Sequence, residues 1–264
     1  KKNIGRTFVD LGAGTGFVGE QLLPYLQSDD TLICTDVSEK MLTICAQKFN
    51  QLRPDINVKT IKMKDEHIDI PNASVDVVTM NSVLHHVPNA QLFLKECARI
   101  LKTGGLLFIG HEPNSRFFQK RTILSMQASL LHELTPKRIA AKILKSLKLY
   151  HSVTKQKSDL VLEKINVILT AEGLIKEPLT RTDLSRLIDI HSPTAGGIRR
   201  EEGFDPLTVL ETCGAFNIQL VETYNHLSKM SGSHIFLKPY ERLMKCMFPN
   251  DGATFFLIAE KVTE

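Results

Sequence analysis

Three glycines, Gly12, Gly14 and Gly16, fall at alternate positions between the apolar run Thr7–Leu11 and a helical pattern, with Asp10 just ahead of them. Glycine permits positive φ and lets a ligand approach the main chain closely. A helix that starts there adds unpaired N–H groups and a partial positive charge. A second acid, Asp36, ends the run "TLICTD". A carboxylate at that strand tip can accept hydrogen bonds from both hydroxyls of a ribose. Val37 follows it and can pack on an adenine face. Together these features read as a nucleoside cradle.

Two cofactors fit such a cradle. Dinucleotide sites use G-x-G-x-x-G, with pyrophosphate on the helix N-terminus. Here the third glycine, Gly16, comes one residue early, and Phe17 stands where that fingerprint wants glycine. Bulk at that position opposes close approach of a pyrophosphate. Further candidates follow along the chain. Asp65 and Glu66 in "KDEHIDIP" can serve an adenine, Asp65 by accepting a hydrogen bond from the adenine amino group and Glu66 through backbone contacts. Asn81, in "MNSVLHHVPN", ends an apolar run and faces the same crevice, and the adjacent His85 and His86 follow it. His111 and Glu112 close another run, and His191 lies in "DIHSPTAGGIRREEGFD" with Arg199 and Arg200. Histidine titrates near neutral pH and suits proton transfer. His111 is the leading base by position, Glu112 is its rival, and His86 and His191 are the other candidates.

The elements that must carry these residues alternate. Thr7–Leu11, Thr31–Asp36, Val58–Met63, Val75–Asn81 and Leu106–Glu112 read as strands. Helical patterns span Gly16–Leu26, Ser38–Phe49 and the stretch from Asn89 to the Gly104–Gly105 pair. That rhythm predicts a parallel sheet wound by right-handed crossovers. It breaks from about Pro113 to Gly203, where the patterns are helical: Phe117–Leu134, Pro136–Leu149, Asp159–Ala171 and Arg181–Asp189. It resumes with a helix from Pro206 to about Gly214 and a strand, Asn217–Asn225. A further helix, Pro239–Met247, and a strand, Thr254–Val262, close the chain. Residues 1–112 and 204–264 are expected to form the sheet core, and residues 113–203 a helical insertion that covers an acceptor.

The segments "VDLGAGTG", "TDVSEKML", "MNSVLHHVPN" and "ILKTGGLLFIGHEPN" occur in this order. In sequence and spacing they resemble the class I S-adenosylmethionine-dependent methyltransferases, in particular the small-molecule enzymes grouped as type 11. The resemblance covers about residues 5–115 well and the final strands more loosely. It implies a Rossmann-like α/β fold with a seven-stranded, mostly parallel sheet and an antiparallel last strand. It implies S-adenosyl-L-methionine as cofactor, with Asp10, Gly12, Gly14 and Gly16 at the methionine end, Asp36 at the ribose, Asp65 and Glu66 at the adenine, and Asn81 beneath the sulfonium. The expected reaction is in-line transfer of methyl to oxygen or carbon of a small molecule. The alternatives are a nicotinamide-dependent oxidoreductase and a non-catalytic cofactor-binding module. The chain also starts abruptly at its first strand, from which an N-terminal segment found in longer relatives is expected to be missing.

Composition narrows the classes. Hydrophobic residues make up 42% and charged residues 23%, which is ordinary for a soluble globular protein. No apolar run approaches a membrane span; no signal peptide is expected, because the first residues run directly into a strand, and the expected location is cytoplasmic. Five cysteines without a CxxC pair suggest reduced thiols rather than disulfides or a metal site. The net charge is +4, too mild to imply nucleic acid. Ten of the Lys and Arg lie within residues 116–157 against one acid, Glu133, so that window is +9 and the rest 4 − 9 = −5. A membrane surface, an acidic carrier protein or an anionic acceptor suits those basic helices, against the plainer reading of a solvated face.

Overall fold

The computed structural model describes residues 5–64, 66–119, 157–171, 173, 175, 177–180, 203–227 and 238–262. Strands β1 (Thr7–Leu11), β2 (Thr31–Asp36), β3 (Asn57–Lys62), β4 (Val75–Asn81), β5 (Leu101–Pro113), β6 (Phe216–Tyr224) and β7 (Thr254–Lys261) form one sheet in the order β3-β2-β1-β4-β5-β7-β6. The first five pair in parallel, and β7 runs antiparallel to both β5 and β6. The direction of winding reverses between β1 and β4. In open α/β sheets that reversal opens a crevice outside the strand carboxyl ends.

Helices α1 (Phe17–Leu22), α2 (Glu39–Leu52) and α3 (Ala90–Ile100) connect the parallel strands. Ser38 and Asn89 cap α2 and α3, accepting from the N–H of Met41 at 3.4 Å and of Leu92 at 3.0 Å. The central strands β1, β2 and β4 are largely buried on both faces, as their unbroken apolar runs require, whereas the edge strands β3 and β6 are largely exposed. One core cluster sets Phe93, Leu94 and Cys97 of α3 against Val78, Leu107 and Leu257. The other sets Cys45 and Phe49 of α2 against Phe8, Leu32 and Cys34.

Several boundaries differ from the sequence reading. Helix α1 stops at Leu22 rather than Leu26, because Pro24 sits in a tight 3-10 turn, Leu23–Tyr25. Helix α3 ends at Ile100, and β5 begins at once with the fully buried Leu101 paired to Val75. The Gly104–Gly105 pair therefore lies within the strand, beside a register shift, and does not cap the helix. Residues 206–213 form successive hydrogen-bonded turns, not the expected helix.

After β5 come α4 (Ser115–Gln119) and α5 (Lys157–Ala171). The expected helices Pro136–Leu149 and Arg181–Asp189, and Phe117–Leu134 beyond residue 119, lie outside the described residues, as does most of the basic window. The chain divides into two compact units, Lys1–Ala128 with Pro193–Glu264, and Ser129–Ser192. Within the second, the Asn166 side chain donates to the Leu179 carbonyl at 3.0 Å and accepts from its N–H at 2.8 Å, so the chain after α5 turns back on that helix. Helix α6 (Lys238–Met247) precedes β7. No helix among the described residues is long and apolar enough to cross a membrane.

The departure and return of the chain around residues 113–204 are stapled together. Phe204 N–H donates to the Pro113 carbonyl and Ser115 N–H to the Phe204 carbonyl, both at 2.9 Å. Asn114, fully buried, donates to the carbonyls of Asn250 and Gly252 at 2.9 and 2.7 Å. The Arg116 guanidinium reaches Asp205 at 3.3 Å and Asp251 at 3.2 Å. Gly203 has φ +72°, and a Cβ there would collide with the Pro113 carbonyl. Gly203→Ala is therefore expected to destabilise the fold by about 2–4 kcal/mol, read as a lowered urea midpoint with an unchanged slope. A midpoint equal to the parent's would show that the return point tolerates a side chain.

Candidate active site

The glycine loop joins β1 to α1, and its glycines serve different purposes. Gly12, Gly14 and Gly16 have φ of +65°, +54° and +82°, all in the left-handed region. A Cβ on Gly12 would stand 2.6 Å from the Val83 side chain, and one on Gly16 would stand 2.7 Å from Phe49 and 2.9 Å from the Cys45 sulfur. Those two glycines let the loop pack against the β4 tip and α2. A Cβ on Gly14 would meet nothing within 4 Å. Gly14 therefore leaves its main chain open to a ligand, which packing alone does not require.

Asp36 ties this loop to β2. Its Oδ2 accepts from Gly14 N–H at 2.9 Å and its Oδ1 from Ser38 N–H at 2.8 Å. Each carboxylate oxygen retains a further lone pair, and Asp36 is half-buried, so two more donors can be accommodated. Val37 beside it is 71% exposed, and Phe17, at the first position of α1, is 65% exposed. An open glycine, a carboxylate with spare acceptor capacity and an uncovered valine are what a ribose with its attached adenine needs. The main-chain loop and this acid can therefore hold a nucleoside cofactor.

Asp10 sits underneath, not in the crevice. It is 1% exposed. Its Oδ2 accepts from Gly19 N–H at 3.2 Å, and its Oδ1 accepts from the Thr79 hydroxyl at 3.2 Å. The carboxylate so links β1, the first turn of α1 and β4.

The tips of β4 and β5 form the other wall. Asn81 is exposed at the end of β4, and Gly110 opposite it lacks the Cβ that would come 2.8 Å from the Asn81 Oδ1. The β5–β7 register shifts between Ile109 and Glu112, and within that bulge His111 takes φ +55°. Ser82, with φ +62°, bonds across to it: its N–H donates to the Gly110 carbonyl at 2.8 Å and its hydroxyl to the His111 carbonyl at 3.4 Å. Two non-glycine residues in left-handed conformations thus lie side by side, and bulges of this kind re-aim side chains next to active sites. His111 is exposed, and its Nδ1 lies 2.8 Å from the Tyr224 hydroxyl at the end of β6.

Glu112 has another task than proton transfer. It is fully buried and accepts from the N–H groups of Val83, Leu84 and His85 at 2.8, 2.8 and 3.2 Å, and pairs with the His85 ring at 2.7 Å. It holds the 3-10 turn Leu84–His86 against β5. His86 is exposed, its ring centroid 4.0 Å from that of His85. Glu66 Oε1 accepts from Asn89 N–H at 2.9 Å at the start of α3. Asp65, His191, Arg199 and Arg200 lie outside the described residues, and no cluster able to hold a metal ion occurs among the described ones. Thr79, Ser82 and Tyr224 escaped the sequence reading, because only the sheet order brings them to this place. The nearest sequence signal was their position at or near strand ends.

Burial pushes the Asp10 carboxyl up to about 7; the Thr79 hydroxyl and Gly19 N–H draw it back in part, and the Asp36 charge raises it further. A carboxyl with a higher value folded than unfolded binds more protons in the native state between about pH 4 and 7, so its stabilising contribution is full in acid and is lost as pH rises through that window. Asn keeps the shape and stays neutral. The Tm difference between Asp10→Asn and the parent should move in the variant's favour from about pH 4 to pH 7, by scanning calorimetry. A difference that is constant with pH would show that Asp10 titrates as an ordinary surface acid.

Comparison with known proteins agrees with this geometry. Residues 9–109 match the family profile described as a methyltransferase domain. A ubiquinone/menaquinone biosynthesis C-methyltransferase of Citrobacter koseri is 27% identical over 105 residues, covering 40% of this chain and 42% of the relative. A ubiquinone biosynthesis O-methyltransferase of Agrobacterium fabrum is 28% identical over 104 residues, covering 39% and 40%. The matched segment is thus under half the length of either relative. Among solved structures, geranyl diphosphate C-methyltransferase from Streptomyces coelicolor A3(2), in complex with Mg2+, geranyl diphosphate and S-adenosyl-L-homocysteine, shares the fold. Its TM-score is 0.52 at 13% identity, over 98% of this chain and 73% of that one. The glycine loop, the acid at the β2 tip and the antiparallel β7 are all in place around this match, and residues 9–109 are similar to a methyltransferase domain.

Proposed function

We propose that this chain transfers a methyl group from S-adenosyl-L-methionine to oxygen or carbon of a small molecule. The observation that carries this reading is the open face of Gly14 joined to the Asp36 carboxylate at 2.9 Å. In it, Asp36 accepts from the ribose hydroxyls, Val37 packs on the adenine, Asp65 and Glu66 flank the adenine edge, and the glycine loop over Asp10 receives the methionine end. Asn81 lies beneath the sulfonium. The insertion, residues 113–203, selects the acceptor. A nicotinamide dinucleotide suits the loop less well, since Phe17 stands where the pyrophosphate must come close.

Bound S-adenosyl-L-methionine supplies an electrophilic methyl group with its own leaving group. The protein's part is to align donor and acceptor and exclude water, which lowers the entropic barrier. An acceptor hydroxyl or phenol also needs a base. We assign that role to His111, and its exposure at the β5 tip within the bulge supports the assignment. For Nε2 to accept a proton, Nδ1 must carry one and donate it to Tyr224. Burial and the Glu112 charge push the Tyr224 phenol up, so it stays protonated at neutral pH and can receive that bond. His86 and His191 are the remaining candidates.

Asp36→Ala is expected to weaken S-adenosylhomocysteine binding at least about tenfold through loss of charge-assisted hydrogen bonds, measured by calorimetry. Unchanged affinity would show the ribose assignment to be wrong. His111→Ala should lower release of S-adenosylhomocysteine across a panel of hydroxylated acceptors, with cofactor affinity intact. Tyr224→Phe should move the acid limb of the kcat profile and leave cofactor affinity alone. Full activity in His111→Ala at every pH would dismiss it as the base. Tight cofactor binding with no turnover on any acceptor in the parent would favour a non-catalytic binding module.

A further inference from the structure

Helix α6 carries Lys238, Arg242 and Lys245 at i, i+4 and i+7, which places all three on one face. They line a recess together with Glu241 and with Tyr224, Asn225 and His226 beyond the end of β6. Lys245 reaches Glu222 at 3.5 Å. Lys238 and Arg242 are exposed, and among the described residues no carboxylate pairs with either. His226 adds no charge: burial pushes its ring down, and its Nε2 lies 3.2 Å from the Phe248 carbonyl. Three cations thus face Glu241 in the recess and Glu222 beside it, which leaves a net positive charge carried by Lys238 and Arg242.

Tyr224 belongs to both places. It lines this recess, and its hydroxyl meets His111 Nδ1 at 2.8 Å. One side chain thus separates two exposed cations from the group placed to take the acceptor's proton. We propose that Lys238 and Arg242 hold an anionic group, a carboxylate or phosphate, of the methyl acceptor whose reacting atom lies at His111. Guanidinium offers a bidentate fork to either oxyanion, and the lysine adds a point charge. This assignment rests on the methyltransferase reading and narrows it to acidic acceptors.

Inorganic pyrophosphate is the probe, titrated calorimetrically into protein saturated with S-adenosylhomocysteine. Lys238→Met with Arg242→Met should weaken its binding at least tenfold. A control with the same change in net charge at two exposed lysines, Lys40→Met with Lys59→Met, should leave it within twofold. Pyrophosphate should also shift the His111 ring resonances in the parent but not in the Lys238/Arg242 variant. No pyrophosphate binding by the parent, equal losses in both variants, or binding that leaves the His111 ring unperturbed would each overturn the proposal. Failure of the parent to bind S-adenosylhomocysteine would instead sink the methyltransferase reading itself.

Discussion

A carboxylate buried under a glycine loop is the constraint on which this site depends. Asp10 receives bonds from Gly19 in α1 and Thr79 in β4, so one side chain joins the two strands that flank the reversal of the sheet to the helix that starts between them. The loop above is bare main chain and has no side chains of its own to hold its shape. Its curvature comes from three left-handed glycines, and its position from contacts below and beside it. Gly12 rests on Val83, Gly16 on Phe49 and Cys45, and Gly14 is tethered by Asp36. A nucleoside is thus offered a surface fixed before it arrives, so that little of the binding energy goes into ordering the loop.

The two walls of the crevice are organised by different physics. On the β2 side, backbone N–H groups converge on a single acid, an arrangement that works over short sequence separations. On the β5 side, a bulge and two left-handed residues set the main chain, and the buried Glu112 binds the next turn through three N–H groups and a histidine. Asn81, Ser82 and His111 are consequently tied to one another at the β4 and β5 tips.

That difference explains what could be read from the chain alone. The alternation of strands and helices, the glycine loop and Asp36 are local patterns, each contained in about thirty residues as a strand–helix–strand unit requires. The five parallel strands and the helices between them appear in the structure with some ends moved by several residues, and the glycine loop and Asp36 lie at the tips of β1 and β2. Gly104 and Gly105 misled because a glycine pair after a helical stretch reads as a cap, whereas here Leu101 was already needed in the sheet core. The turns at 206–213 carry helical spacing without the regular bonding. Glu112 looked like a second base because its acidity is visible in sequence and its three N–H partners are not. Tyr224 was invisible for the same reason: it meets His111 only because β7 inserts between β5 and β6 and the bulge turns the histidine outward.

The stapled neck at Pro113–Arg116 and Gly203–Asp205 has an implication for how such chains diversify. Because both ends of the excursion are pinned to each other and to residues 250–253, the core sees the same two anchor points whatever lies between them. Loop-closure entropy grows only slowly with length. Segments of other sizes can therefore be grafted at this neck at small thermodynamic cost, which makes it a natural place for one sheet to acquire new chemistries.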